Sequence, residues 1–370
     1  MSKLNLIIIL IDGGRLDYVQ DSKFYNKLKE KFSFISNSVT YAPHTIASMH
    51  AVFSGCYGNR TGTNSYWSTF KFQKENFKSL TEYLDGAGYH TVCDMVSSLI
   101  IPKQGFDEFL IHDEEKDDLI EKHCQILDRC KEKENFFAFF QFSNIHTGIM
   151  NEVLKVYDNF SPEYFNNKEV NRERYNKLFK KSEDYLDKVL EKISSLHLDE
   201  NSLILIMSDH GVSIGEKIGE RAYGALCYDY TLRTFGLIGW PNMKNIQISQ
   251  QVRTIDFMPT ILEILNMKID NSYEKLDGIS LLPLFNDEKI EERLAFSETG
   301  NPLKEKKPPK EPNTSSIRSS KWKLIINEHD NTKELYNLEL DPDENNNIIG
   351  TGLEIENSLE IELNKIRKKV

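Results

Sequence analysis

Two aliphatic runs in this chain stop at residues that bind metals. Leu4 to Ile11 reads LNLIIILI and stops at Asp12, and Leu203 to Met207 reads LILIM and stops at Ser208-Asp209-His210-Gly211. A third segment, Thr45 to Phe53, follows Pro43 and ends before Gly55. It reads as a short helix whose N-terminus lies near the Thr45 hydroxyl. In open α/β sheets, ligands bind beyond the carboxyl ends of the strands. Carboxylate and imidazole groups gathered there with a hydroxyl make one compact cation site. Each residue alone has a plainer reading, because an Asp after a strand also serves as a turn former or helix cap.

The elements that must position these groups alternate along the chain. Leu4 to Ile11 and Phe136 to Phe142 (FFAFFQF) are continuous apolar runs, as expected of central strands covered on both faces. Tyr89 to Cys93 and Leu203 to Met207 are further strands. Helices are expected around Phe24 to Lys31, over Thr45 to Phe53, Ser79 to Ala87 and Glu173 to Ile193, and from Asp256 to Leu265. The pattern predicts an α/β fold with a large mixed, mainly parallel sheet sandwiched by helices. After Lys304 to Pro312, a Lys, Glu and Pro run expected to be a surface loop or flap, come two short strands, Trp322 to Ile326 and Glu334 to Leu338. They predict a small antiparallel subdomain. The expected division is a catalytic domain over 1–285 and an α+β subdomain over 286–370.

Composition narrows the partners. The 370 residues are 39% hydrophobic and 28% charged, enough for a large packed core. A net charge of -11 argues against nucleic acid and anionic membranes, which select clustered Lys and Arg. An anionic substrate therefore needs a local positive site, such as a metal. Five cysteines without a CxxC pair read as reduced thiols. The first apolar run is too short to span a bilayer and lacks a cleavage site, so a cytoplasmic location is the expectation. A homo-oligomer is compatible with all of this.

Taken in order, IDGGRLDY, APHTIASMHAVFSGCYGNRTG, LILIMSDHG, YDYTLRTFGLIGWP, RTIDFMPTILEIL, LDGISLLPLF, SSKWKLI and KELYNLELDPDE resemble the sulfatase branch of the alkaline phosphatase superfamily. LDGAGYHT and GFDEF add to the likeness, which is collinear over nearly the whole chain. The resemblance makes Asp12, Asp209 and His210 metal ligands and puts Thr45 at the nucleophile position, where it also meets the metal. Ser48 matches the Ser of the sulfatase signature, and Arg15 and Asp17 match positions after the first ligand. His146, in FSNIHTG, resembles an active-site His that serves as substrate ligand, general acid or second-site ligand. Asn64 resembles a substrate-contacting position, and His44 flanks the nucleophile, as does His50.

The departures are chemical. Sulfatases convert a Cys or Ser to formylglycine, and Thr cannot yield that aldehyde. The signature Pro and Arg are Ala47 and Met49 here, and the second acid of the family's Asp pair is Gly13. The family's later Lys has no counterpart, which leaves Arg221 or Lys217 to replace it. A Thr nucleophile resembles the phosphodiesterase and phosphotransferase branches. The expectation is therefore a metal-dependent hydrolase or transferase of a small anionic phosphate or phosphonate ester, through a phospho-Thr45 intermediate. The alternatives are a sulfuric ester hydrolase and an inactive, anion-binding member. One divalent ion is expected. Mn or Zn is favoured because His210 supplies nitrogen, with Mg or Ca as further candidates. After His210 only His329 remains, so a second metal is left open.

Overall fold

Strand β1, Asn5–Ile11, is buried at every residue, and its side chains alternate between the two faces of a sheet. Ile7, Ile9 and Ile11 join one apolar cluster, while Leu6, Ile8 and Leu10 join another. That is why the run lacks a polar-apolar period: both faces are covered. Strand β5, Phe136–Phe142, does the same. Phe136, Ala138 and Phe140 lie on the first side, and Phe137 and Phe139 on the other. The structure is a computed structural model, and it describes residues 3–65, 68–149, 166–217, 222–300 and 309–368.

The remaining strands are β2 (Ser33–Val39), β3 (His90–Met95), β4 (Glu108–Ile111), β6 (Ser202–Met207), β7 (Arg233–Gly239), β8 (Gln247–Ile248) and β9 (Val252–Arg253). Among the described residues they form a nine-stranded sheet in the order β4-β3-β5-β1-β6-β7-β2-β8, with β9 also on β2. All pairings are parallel except those of β7, which runs antiparallel to both β6 and β2. The sheet is thus mixed and mainly parallel, as the sequence predicts. Strands β2 and β7 are hidden in the sequence, because SFISNSV is half polar and RTFGLIG carries two glycines.

Helices flank both faces. Helices α1 (Thr45–Ser54), α2 (Leu80–Gly86) and α5 (Phe257–Ile264) pack on the Leu6 side. Helices α3 (Leu119–Lys131) and α4 (Lys168–Ser195) pack on the Ile7 side. Helix α1 is buried at all ten residues and ends at Gly55, whose φ of 63° is left-handed. It is buried all round because a second sheet covers it. Strands β10 (Ala295–Thr299), β11 (Thr314–Arg318), β12 (Trp322–Asn327) and β13 (Thr332–Asn337) form an antiparallel meander. Ile317, Leu324 and Leu335 of this sheet, with Leu359 and Leu363 of α6 (Glu354–Arg367), share a cluster with Ala47 and Ala51 of α1. The sequence shows two of these four strands. Most of the expected Lys304 to Pro312 loop, residues 304–308, lies outside the described residues. No disulfide joins the five cysteines, and no described helix is long and apolar enough to cross a membrane.

Candidate active site at the carboxyl edge of the sheet

Strands β1, β5 and β6 are adjacent and parallel, so their carboxyl ends deliver Asp12, the Ser143–His146 segment and Asp209-His210 to one place. Helix α1 starts there. Thr45 is its first residue, and His44 occupies the capping position without a side-chain cap bond. Thr45 is therefore not an exposed cap but a buried group pointing at the strand ends. Its Oγ1 lies 3.4 Å from each oxygen of Asp12 and 3.2 Å from Nε2 of His210. Asp12 Oδ1 also faces Nδ1 of His146 at 3.4 Å and Nε2 of His210 at 3.6 Å. Asp209 Oδ2 is 3.4 Å from His210 Nε2. The four residues expected to meet do meet, and His146 joins them.

The cluster is held from outside by single-purpose bonds. Gln141 Nε2 donates to Asp12 Oδ2 at 2.6 Å. The backbone amides of Gly13 and His210 donate to Asp209 Oδ1 at 3.2 and 2.9 Å. Ser48 Oγ donates to the Asp209 carbonyl at 2.9 Å, tying α1 to β6. Gly13 has a φ of 75°, and a Cβ there would lie 2.9 Å from Val212. A second acid therefore has no room at this position, and the Gly13 amide serves Asp209 instead. Arg15 binds Asp17 and Glu216 and donates to the Val212 carbonyl, which braces the loops behind both ligands.

The electrostatics fit a cation. A carbonyl can only accept, so His210 Nδ1, 2.8 Å from Gly211 O, carries the proton. Nε2 then faces two carboxylates, Asp12 and Asp209. Asp209 Oδ2 is buried and accepts no hydrogen bond. Burial, and then the charge of Asp12, raise the Asp209 carboxyl to about 6. Burial also works against the Asp12 charge, but His146 and His210 outweigh it and hold that carboxyl low. His146 is opposed by its own burial, yet Asp12 drives it up to about 9. Acceptors outnumber donors here, so the donor set of Asp12, Asp209, His210 and Thr45, with His146 beside it, suits a divalent ion.

The other expected residues fall in different places. His44 is buried next to this cluster; burial and the charge of His210 lower it to about 3, so it stays neutral. His50 turns away, its Nδ1 on the Ile46 carbonyl at 2.9 Å and its ring edge-on to Phe72. Asn64 is half-buried beyond the short helix Gly58–Thr61, with no bond to the cluster among the described residues. The Lys217 ammonium donates to the Glu344 carbonyl and sits over the rings of Tyr228 and Tyr336. Those partners couple it to the second sheet. Arg221 lies outside the described residues. Sequence reasoning missed Tyr223. Its hydroxyl is 2.9 Å from His146 Nε2, and its ring lies against both His146 and His210, at 4.8 and 5.2 Å between centroids. Only the fold puts it there. Gln141 was also missed, buried inside a strand that otherwise reads as pure core.

A cavity of about 440 Å³ lined by Val96, His112, Glu114, His146 and Thr147 opens beside the cluster. A larger cavity, about 900 Å³, lies elsewhere, between Arg60, Arg253, Asp277 and Glu362, and touches no residue of the cluster.

A family model described as Sulfatase matches residues 5–267, most of the chain. The chain belongs to the sulfatase family. A second model, N-sulphoglucosamine sulphohydrolase, C-terminal, matches residues 223–369. Arylsulfatase K of Canis lupus familiaris is 28% identical over 55% of this chain and 38% of its own length. An ulvan-active sulfatase of Formosa agariphila is 26% identical over 30% of this chain and 22% of its own. The matches thus span well under half of these curated relatives. Among solved structures, a 2-O GAG sulfatase superposes with a TM-score of 0.77 at 19% identity, covering 99% of this chain and 93% of that one. A phosphonate monoester hydrolase from Silicibacter pomeroyi gives 0.76 at 15% identity, covering 99% and 95%. These two likenesses show the fold. Members of the superfamily to which the sulfatase family belongs use divalent metal ions.

Proposed function

We propose that this chain is a divalent-metal-dependent sulfuric ester hydrolase in which the unmodified Thr45 hydroxyl is the attacking group. The observation that carries this reading is the position of Thr45 Oγ1, 3.4 Å from both Asp12 oxygens and 3.2 Å from His210 Nε2 at the start of a buried helix. The sulfatase relatives support sulfur as the electrophile, and the ulvan-active relative supports a sulfated carbohydrate as the substrate class. A divalent ion held by Asp12, Thr45, Asp209 and His210 would lower the pKa of the Thr45 hydroxyl and neutralise non-bridging ester oxygens.

The residues themselves divide the work. Thr45 passes its proton to Asp12, toward which its hydroxyl points, and forms a bond to sulfur, while the bond from sulfur to the alcohol oxygen breaks. The alcohol leaves with a proton, the role assigned to His146 with Tyr223 behind it. Water then attacks sulfur, releases sulfate and restores the Thr45 hydroxyl. The amide end of α1 adds positive potential where the anion sits.

A phosphoric or phosphonic ester is the second reading, and Thr45 itself favours it. Thr cannot become formylglycine, and direct attack by a hydroxyl is equally suited to phosphorus. A screen of p-nitrophenyl sulfate, p-nitrophenyl phosphate, bis(p-nitrophenyl) phosphate and a phenylphosphonate ester, each with Mn, Zn, Mg and Ca, separates the two. Turnover highest on the sulfate ester is expected. Turnover confined to phosphorus esters replaces the first reading with the second, and inactivity throughout sinks both.

A further inference from the structure

Tyr223 reaches the acid-imidazole cluster from a segment, between β6 and β7, that has no helix or strand geometry of its own. Both of its neighbours have left-handed backbones, Ala222 with a φ of 52° and Gly224 with a φ of 87°. Ala disfavours that region, because its Cβ crowds the following carbonyl. Local preference therefore does not hold Tyr223 in place, and bonds from elsewhere must. On the amino side, the Ala222 carbonyl accepts from the Ser213 amide. The Ser213 hydroxyl donates to Glu216 at 3.1 Å, and Arg15 holds Glu216 in turn. That anchor belongs to the loop that follows Asp209 and His210.

On the carboxyl side, the Gly224 carbonyl accepts from the Thr299 hydroxyl at 2.5 Å. Thr299 is the last residue of β10 and is buried. The strand that carries it is itself fixed. The Glu298 amide donates to the Tyr41 carbonyl at 3.0 Å, and the Ser297 hydroxyl donates to the Thr40 carbonyl at 2.7 Å. Those two carbonyls lie on the approach to Thr45. Beyond Gly224, Leu226 and Cys227 share an apolar cluster with Ala295 of β10 and Ile325 of β12. Apolar packing seats the segment on the second sheet but has no direction. The hydrogen bond at Gly224 does, so it fixes how the backbone turns there.

We propose that Thr299 is a positioning residue for the reaction: its hydroxyl sets the turn at Gly224 and so aims the Tyr223 hydroxyl at His146. The second sheet thereby acts on the cluster at one remove, through a backbone carbonyl. Because β10 is bonded to the approach to Thr45 as well, one strand aligns the attacking group with the group behind His146. Thr299 takes this role through the place given to Tyr223 under the proposed function, whichever electrophile, sulfur or phosphorus, is attacked.

Two substitutions in the full chain test it. Thr299→Val keeps the shape of the side chain and removes the donor, while Thr299→Ser keeps the donor. In crystals of the Val variant, the Tyr223 hydroxyl should leave hydrogen-bond reach of His146 Nε2, which is 2.9 Å away in the wild type. In the Ser variant it should stay. On the ester turned over best, the Val variant should lose roughly tenfold in kcat, with KM and metal content unchanged, and the Ser variant should recover it. Added to Tyr223→Phe, Thr299→Val should cost little more, because both act through one bond. An unmoved Tyr223 in the Val variant overturns the proposal, as does a Ser variant no better than Val or full additivity with Tyr223→Phe. Full activity of Tyr223→Phe would instead fail the role given to Tyr223. The crystals tell the two apart, since a displaced ring in the Val variant still upholds Thr299 as its anchor. If the Val variant does not fold, Gly224→Ala disturbs the same bond from its other partner. The left-handed φ is strained for Ala, while the added Cβ would come no nearer than 3.7 Å to the His44 Cβ. The same displacement and loss of kcat should follow, and their absence overturns the proposal.

Discussion

Among the described residues, two clusters of carboxylate and imidazole groups stand out, and one of them is built for an ion. Asp12, His146 and His210 form the first; Asp94, His112 and His123 form the second. In the second, Asp94 Oδ2 accepts from His112 Nδ1 and His123 Nε2, both at 2.9 Å. The far nitrogens are occupied as well, His112 Nε2 by Ser143 Oγ at 3.0 Å and His123 Nδ1 by Tyr185 OH at 2.6 Å. Lys122 meets the other oxygen of Asp94 at 3.2 Å. Every imidazole nitrogen there is used, and the carboxylate is surrounded by donors. In the first cluster, Asp209 Oδ2 is left without a donor. Composition cannot separate the two, but counting donors against acceptors does. The closed cluster is a structural brace, set between β3, α3 and the end of β5 that leads to His146.

Four experiments can break or sharpen that contrast. The largest effect is expected at Thr45. Thr45→Ala should cut kcat by at least about 10³-fold, as losses of a nucleophile do, while Thr45→Ser retains much of it. A sulfo or phospho adduct on the Thr45 peptide, trapped during turnover and read by mass spectrometry, should accompany the wild-type reaction. An Ala variant within tenfold of wild type and no adduct would show that water attacks directly.

Asp209→Asn should come next. Metal analysis should find one divalent ion in the wild type, little in this variant, and an undiminished amount in Asp94→Asn. Chelation should likewise abolish wild-type activity, and add-back restore it. Metal loss from the Asp94 variant instead would reverse the roles of the two clusters.

Tyr223→Phe removes the hydroxyl behind His146. Partners of this kind are typically worth about 10–100-fold in activity. The loss should appear in kcat more than in KM, with metal content unchanged. An equal loss in KM would make Tyr223 a substrate-binding group.

The smallest catalytic effect is expected from Asp94→Asn, where stability should fall by about 3 kcal/mol because buried partners lose their charge. Burial opposes the Asp94 charge, but the hydrogen bonds from His112 and His123 outweigh it and hold this carboxyl well below its usual 3.8. A depressed carboxylate pKa contributes stability that is complete above that usual value and fades as pH falls beneath it. The gap in melting midpoint between wild type and variant should therefore be full at pH 7, hold to about pH 4 and narrow below it. A gap that widens in acid would remove Asp94 as its source.

Much of the fold and the centre of the site could be read from the chain itself. Aliphatic runs such as LIIILI leave few options besides a central strand, since an unbroken apolar run can be buried only between two layers. Asp12 and Asp209-His210 were legible because chemistry at an α/β sheet gathers where such runs end, and Thr45 because Pro43 and Gly55 bracket its helix. Tyr223, Gln141 and the brace around Asp94 were not legible, because their meaning depends on what lies opposite. Tyr223 and His146 are 77 residues apart and meet at 2.9 Å. His123 looks like any polar residue of an amphipathic helix until Asp94 is beside it. Lys217, considered from the resemblance as a substitute for the family's later Lys, reaches the second sheet through the Glu344 carbonyl, a partner that its sequence neighbours do not announce. Local pattern determined the strands, the helices and the groups at their ends, because those depend on side-chain period and on backbone preference. Only the tertiary structure decided which buried donors are satisfied and which acceptors are left without a donor, because hydrogen-bond balance is a property of neighbours distant in the chain.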